Sequence, residues 1–168
     1  MRFVIGYLIL TIATSTAEAA EESDFARVLK TTLEDVILPA HQAFADASLE
    51  LKDPVNILCD YPSREHLEAV RISFESLALH WSKIEMYRFG PALEANRFEK
   101  LFYWPDPRGR ALRQVRKGLD SQDPTLLSIE TLAKKSVAVQ SLLALEFILF
   151  GSDSETLHTG NAHRCKYL

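Results

Sequence analysis

The sequence predicts an all-α protein, an antiparallel bundle of helices. Three observations carry that reading. Apolar residues recur at mixed spacings of three and four along residues 23–51 and again along 63–84, as one face of a helix requires. The most apolar stretch, residues 138–150, runs unbroken by Gly or Pro until Gly151 and is too long for a comfortable strand. No period-two alternation is long enough to build a sheet.

The chain opens on a targeting pattern over residues 1–19. Arg2 supplies a positive start, Phe3 to Ala13 an apolar segment, and Ala17-Glu18-Ala19 a small-x-small cleavage site. The apolar segment is too short to span a bilayer, which takes roughly 20 residues. No cysteine follows it to carry a lipid anchor. Export to a bacterial periplasm is the expectation, leaving residues 20–168 as one helical domain. The net charge of −4 gives no reason to expect a nucleic-acid partner. No later segment looks membrane-spanning.

The first helical pattern, residues 23–51, carries Phe25, Val28, Leu29, Leu33, Val36, Ile37, Phe44 and Leu49. Pro39 should kink or divide it near Leu38, because proline removes a backbone donor. Residues 52–62, with Pro54 and Pro62, read as a loop. Ser63 is placed to cap the next helix, with Glu65 favourable to its dipole. That helix carries Leu67, Val70, Phe74, Leu77, Ala78, Trp81 and Ile84 on one stripe and should end at Gly90-Pro91. A short helix is expected over 92–101, an irregular aromatic connection over 103–109, and a helix over 110–119. Asp123-Pro124 then reads as the cap and first position of one long helix running from Thr125 to Phe150. From Ser152 the chain is polar and turn-rich, becoming helical near Ala162.

Cys59 and Cys165 are the only cysteines. In an oxidising compartment two well-separated cysteines more often pair than bind metal or catalyse, so a Cys59–Cys165 disulfide is expected.

Glu146 is the leading candidate for function. On the expected long helix it shares a face with Val139, Leu142, Leu143, Leu149 and Phe150. A carboxylate buried there must be paired, metal-bound, hydrogen-bonded or protonated. A purely structural pairing with a neighbouring helix is the competing reading. Burial without a cation would raise its pKa, and a partner such as Arg88 would lower it. Trp81, Glu85 and Arg88 stack along one helical face, so Arg88 could also bridge locally to Glu85. Trp104 and Asp106 offer an aromatic and an acid on a constrained loop, either a ligand wall or core packing. Gln140 belongs to the same candidate binding set. No nucleophile elbow, His-Glu-x-x-His, phosphate loop or dinucleotide fingerprint occurs. The long helix raises a further expectation: Leu142, Leu145, Ile148 and Leu149 cannot all face one small core and should leave apolar surface uncovered, except where the chain from Ser152 onward folds back over part of it.

Several motifs, in order, resemble the imelysin family: Arg88-Phe89-Gly90-Pro91 after a Trp-containing helix, Phe102-Tyr103-Trp104-Pro105-Asp106, and Val139-Gln140 through Glu146-Phe147-Ile148-Leu149-Phe150-Gly151. Cys59-Asp60-Tyr61-Pro62-Ser63 and the closing Arg164-Cys165-Lys166-Tyr167-Leu168 are similar to family segments too. The resemblance implies a helical, envelope-associated bacterial protein linked to iron acquisition, in a family also grouped with metallopeptidases. It also implies a metal motif, Gly-x-His-x-x-Glu, at positions occupied here by Ser141, Leu143 and Glu146. Leucine cannot ligate, so Glu146 alone would hold a divalent metal or iron weakly. Family members are about twice this length, so the chain resembles a first half. Three functions follow as expectations: a non-enzymatic binding or accessory protein tied to iron uptake, a metal-dependent peptidase, or a truncated module that associates with an envelope protein or a second helical half.

Overall fold

The computed structural model describes the backbone of residues 16–168 and the side chains from residue 23 onward. The targeting segment read over residues 1–19 lies almost wholly outside the described residues. All regular structure among the described residues is helical. None of the helices among them is long and apolar enough to cross a membrane.

The described residues divide at Pro39 into two compact units, residues 16–39 and 40–168. In the first, α1 (Thr16–Thr32) continues into a π turn, Leu33–Ile37, where the Leu38 N–H donates to the Leu33 carbonyl. Pro39 accounts for this. Its ring crowds the carbonyl four residues earlier and it has no N–H to offer, and widening the turn ahead of it absorbs both defects. The division expected near Leu38 thus takes the form of a π turn rather than a break. Phe25, Val28, Leu29, Leu33 and Val36 are all exposed along this unit, from 41% to 65%.

The span from α2 (Leu38–Glu50) to α3 (Lys52–Asp60) corrects the loop expected over residues 52–62. Pro54 falls in the first turn of α3, where backbone donors have no intrahelical acceptor and a missing N–H costs little. Ser63 caps α4 (Arg64–Ile84) as expected, its hydroxyl accepting from the His66 N–H at 3.1 Å. The predicted stripe of α4, Leu67 through Ile84, is buried, with Ala78 half-buried beside it. The helix stops at Ile84, short of Gly90-Pro91, and Arg88 Nε donates to the Glu85 carbonyl at 3.3 Å over the unwound end. The helix expected over 92–101 is split. A 3-10 segment, Gly90–Asn96, holds Ala95 and Asn96 in left-handed conformations before α5 (Arg97–Leu101). The connection at 103–109 is irregular, with a cis Trp104-Pro105 bond, and α6 (Arg110–Asp120) follows.

The single long helix expected from Thr125 to Phe150 is not formed. In its place stand a 3-10 turn (Pro124–Leu126), α7 (Ile129–Leu132), a second 3-10 turn (Val137–Val139) and α8 (Leu142–Phe150). The first three have a polar side-chain cap, and α8 starts at Ser141 without one. Asp123 accepts from the Thr125 N–H at 2.9 Å, Ser128 from the Thr131 N–H at 3.4 Å, and Ser136 from the Ala138 N–H at 3.3 Å. Short side-chain acceptors of this kind compete with the helix ladder for the backbone. Thr125 and Lys135 together draw the Asp123 carboxyl down to about 2, the Thr125 hydroxyl bond contributing most.

In the second unit α8 packs against both α4 and α6, while α3 packs on α4 and α9 (Ala162–Tyr167). That position explains the composition of α8: Leu142, Ala144, Phe147, Ile148 and Leu149 are all buried. Of the four residues expected not to fit one small core together, Leu142, Ile148 and Leu149 enter it and Leu145 is half-buried. The segment after Ser152 packs back on α8, as the sequence allowed, with Leu157 fully buried. The C-terminal carbonyls of α8 are satisfied by two arginines. Arg71 Nε donates to Leu149 O at 2.9 Å, and Arg164 donates to Ile148 O at 3.4 Å and Ser152 O at 2.8 Å. Burial lowers the Arg164 pKa, with Asp153 and Asp120 opposing that shift. The Tyr167 hydroxyl donates to Val139 O at 2.8 Å, and burial raises its pKa. Cys59 and Cys165 form the expected disulfide, joining α3 to α9 with their Cα atoms 5.5 Å apart.

Candidate functional site

Three of the expected site residues meet in one cleft of the second unit, with a volume of about 400 Å³. Trp104 and Asp106 come from the irregular connection, Leu143 and Glu146 from α8, and Ala111 and Val115 of α6 contribute to its apolar lining. The loop side is held by Asp106. One carboxylate oxygen accepts from the Arg110 N–H and the other from the Ala111 N–H, both at 2.8 Å. Gly109, at φ +57°, supplies the left-handed residue that turns the chain into α6. Asp106 thus caps α6 and fixes the loop that carries Trp104.

The premise about Glu146 is overturned. It is exposed at the cleft and not buried in a helix core. α8 buries the faces turned to α4 and α6, and Glu146 lies on the remaining face with half-buried Leu143 and exposed Phe150. Leu143, three residues earlier, is half-buried in the same cleft, and Trp104 is 64% exposed. The expected reach of Arg88 to Glu146 is not made. Arg88 stacks its guanidinium 4.1 Å over the Phe98 ring, near the point where Trp81 packs against Phe98 with centroids 5.2 Å apart. Trp81 is core, and Glu85 contributes its backbone carbonyl to Arg88 instead of a carboxylate pair. Gln140 lies on a different groove, its amide donating to Lys135 O at 2.7 Å. Trp104, Asp106 and Glu146 come together, then; Glu85, Arg88 and Gln140 do not join them.

The cleft does not fit a metal. Leu143 offers no donor, Asp106 spends both oxygens on backbone N–H groups, and Glu146 is a single carboxylate. Among the described residues no group of three or more His, Cys, Asp or Glu is placed to hold an ion. What the arrangement offers is an apolar floor, an exposed indole and one carboxylate at the rim, the makings of a small-ligand site. Sequence reasoning missed Arg71 and Arg164, whose role as acceptor-seeking cations beneath α8 has no local signature.

The family model of imelysin (Peptidase_M75) matches residues 37–168. The chain belongs to the imelysin family. A solved structure, an imelysin-like protein from Psychrobacter arcticum 273-4, is similar to it with a TM-score of 0.69 and 26% identity, over 94% of this chain and 50% of that one. The imelysin chain described here thus spans about half the length of that relative. No curated protein matches it.

Proposed function

We propose that this imelysin-family chain is an exported, non-enzymatic binding or accessory protein, tied to iron acquisition as its family resemblance implies. The observation that carries the reading is Leu143 beside Glu146 at the cleft. A peptidase of this kind needs a metal with an open coordination position, and the pair here supplies one donor. Trp104 and Glu146 are the residues proposed to meet the ligand, with Asp106 holding the loop that presents Trp104. The targeting pattern at residues 1–19 and the Cys59–Cys165 disulfide support export to the periplasm. The test is a protease assay on unfolded casein with added zinc. No cleavage is expected, and metal-dependent cleavage lost in Glu146→Ala rejects the reading.

A second reading, an interaction module, is favoured by the exposed stripe Phe25, Val28, Leu29, Leu33 and Val36. Analytical ultracentrifugation of the purified chain discriminates. Self-association relieved by Leu29→Glu with Leu33→Glu supports the module, and a stable monomer at high concentration opposes it.

A further inference from the structure

Away from the Trp104 cleft, the second unit carries a larger groove of about 650 Å³, bounded by α2, α3, α4, α8 and α9. Its walls are apolar, with Phe44, Leu51, Val55, Leu77, Leu142 and Leu145 facing it. Two cations also line it: Lys52 at the start of α3 and Lys166 on α9, both exposed. Among the described residues lining the groove no carboxylate side chain occurs; Asp53 and Asp60, also on α3, are outside the lining. The lysines that form ion pairs among the described residues are Lys30 and Lys135, so neither groove lysine is committed to a carboxylate.

Cys59 and Cys165 lie in the same lining, and their bond ties α3 to α9, the elements that carry the two lysines. The two helices that carry the lysines are therefore held together before any ligand arrives, which lowers the ordering cost of binding. Apolar walls and a positive rim are complementary to one kind of molecule, a chain of methylenes ending in an anion. The volume lies within the range of about 300–1,000 Å³ typical of small-ligand sites and suits one acyl chain rather than two.

We propose that this groove binds a single-chain fatty carboxylate, its tail against Leu51, Leu77, Leu142 and Leu145 and its head between Lys52 and Lys166. Desolvated methylenes supply most of the affinity. The lysines select the sign of the head group. The site is separate from the Trp104–Glu146 cleft and does not depend on the role proposed for it.

Calorimetric titration of the disulfide-bonded chain with laurate, well below its micelle concentration, tests this. One saturable site is expected, weakened roughly fivefold by Lys52→Ala and by Lys166→Ala. Dodecylammonium, with the same tail and the opposite charge, should bind more weakly than laurate. Ser48→Trp, at an exposed position on the groove wall, should fill the site and abolish binding while thermal melting shows the variant folded. Glu146→Ala should leave laurate binding unchanged. Absence of laurate binding, equal affinity for laurate and dodecylammonium, binding only as micelles form, or full binding by a folded Ser48→Trp would each overturn the proposal.

Discussion

Removing the Cys59–Cys165 bridge by the double substitution Cys59→Ala, Cys165→Ala should be the costliest change that leaves the apolar core intact. The bond closes a loop with a sequence separation of 106. In the chain-entropy description a loop of that length restricts the unfolded chain by about 4.8 kcal/mol at 25 °C, and measured losses for native bridges run about 2–5 kcal/mol. Both cysteines are half-buried, so their own packing adds little to this figure. Domains of this size are stable by only about 5–15 kcal/mol, so the variant should sit near the edge of folding. Urea unfolding at pH 7, followed by circular dichroism, measures the loss. The midpoint should fall, and the slope should rise because the freed unfolded chain exposes more surface. A loss below about 1 kcal/mol with an unchanged slope would refute the argument, since it would mean the bridge restricts neither state.

Three further substitutions probe single interactions. Asp106→Ala removes the acceptors for the Arg110 and Ala111 N–H groups and should cost about 1–2 kcal/mol in thermal or urea unfolding; an unchanged stability would show that the carboxylate does not cap α6. Asp123 has a folded pKa of about 2, below its ordinary 3.8, so its contribution is present above pH 3.8 and lost as pH falls toward 2. The stability gap between wild type and Asp123→Asn should therefore close across that window, and a gap constant from pH 5 to pH 2 would contradict it. Gly118→Ala drives a methyl group into the Leu126 side chain and should destabilise by about 1–3 kcal/mol despite alanine's better helix propensity; a net gain in urea midpoint would show that Leu126 yields freely.

The elements most legible in the sequence are those whose signals are local. Ser63 marks the start of α4 because its hydroxyl meets a backbone donor three residues on, and the stripe from Leu67 to Ile84 buries as its spacing requires. The disulfide follows from cysteine number together with the compartment the targeting pattern led one to expect. The long helix over 125–150 was misread because hydrophobicity alone does not distinguish one helix from several short turns. Ser128 and Ser136 are the residues that mark the division, each capping a new start, and serine is tolerated within helices often enough that neither signals a break alone. The exposure of Glu146 was illegible for a different reason: it depends on which faces of α8 are covered by α4 and α6, a tertiary fact that helical spacing does not encode. Trp104 and Asp106 were legible as a pair because Pro105 and Pro107 forbid regular structure around them, but Asp106's double bond to the backbone of α6 is a tertiary detail that spacing does not encode. Pro54 misled in the opposite direction, since a proline in a first helical turn looks like a loop residue until the helix start is known.

The claim that Leu143 leaves this family member without a metal site is tested most directly by titrating zinc, and separately ferrous iron under anaerobic conditions, into the full chain and its Glu146→Ala variant in parallel. A lone exposed carboxylate holds a transition metal weakly, so the two titrations should be indistinguishable, with no stoichiometric site. Tight one-to-one binding by the wild type that disappears in Glu146→Ala would contradict it.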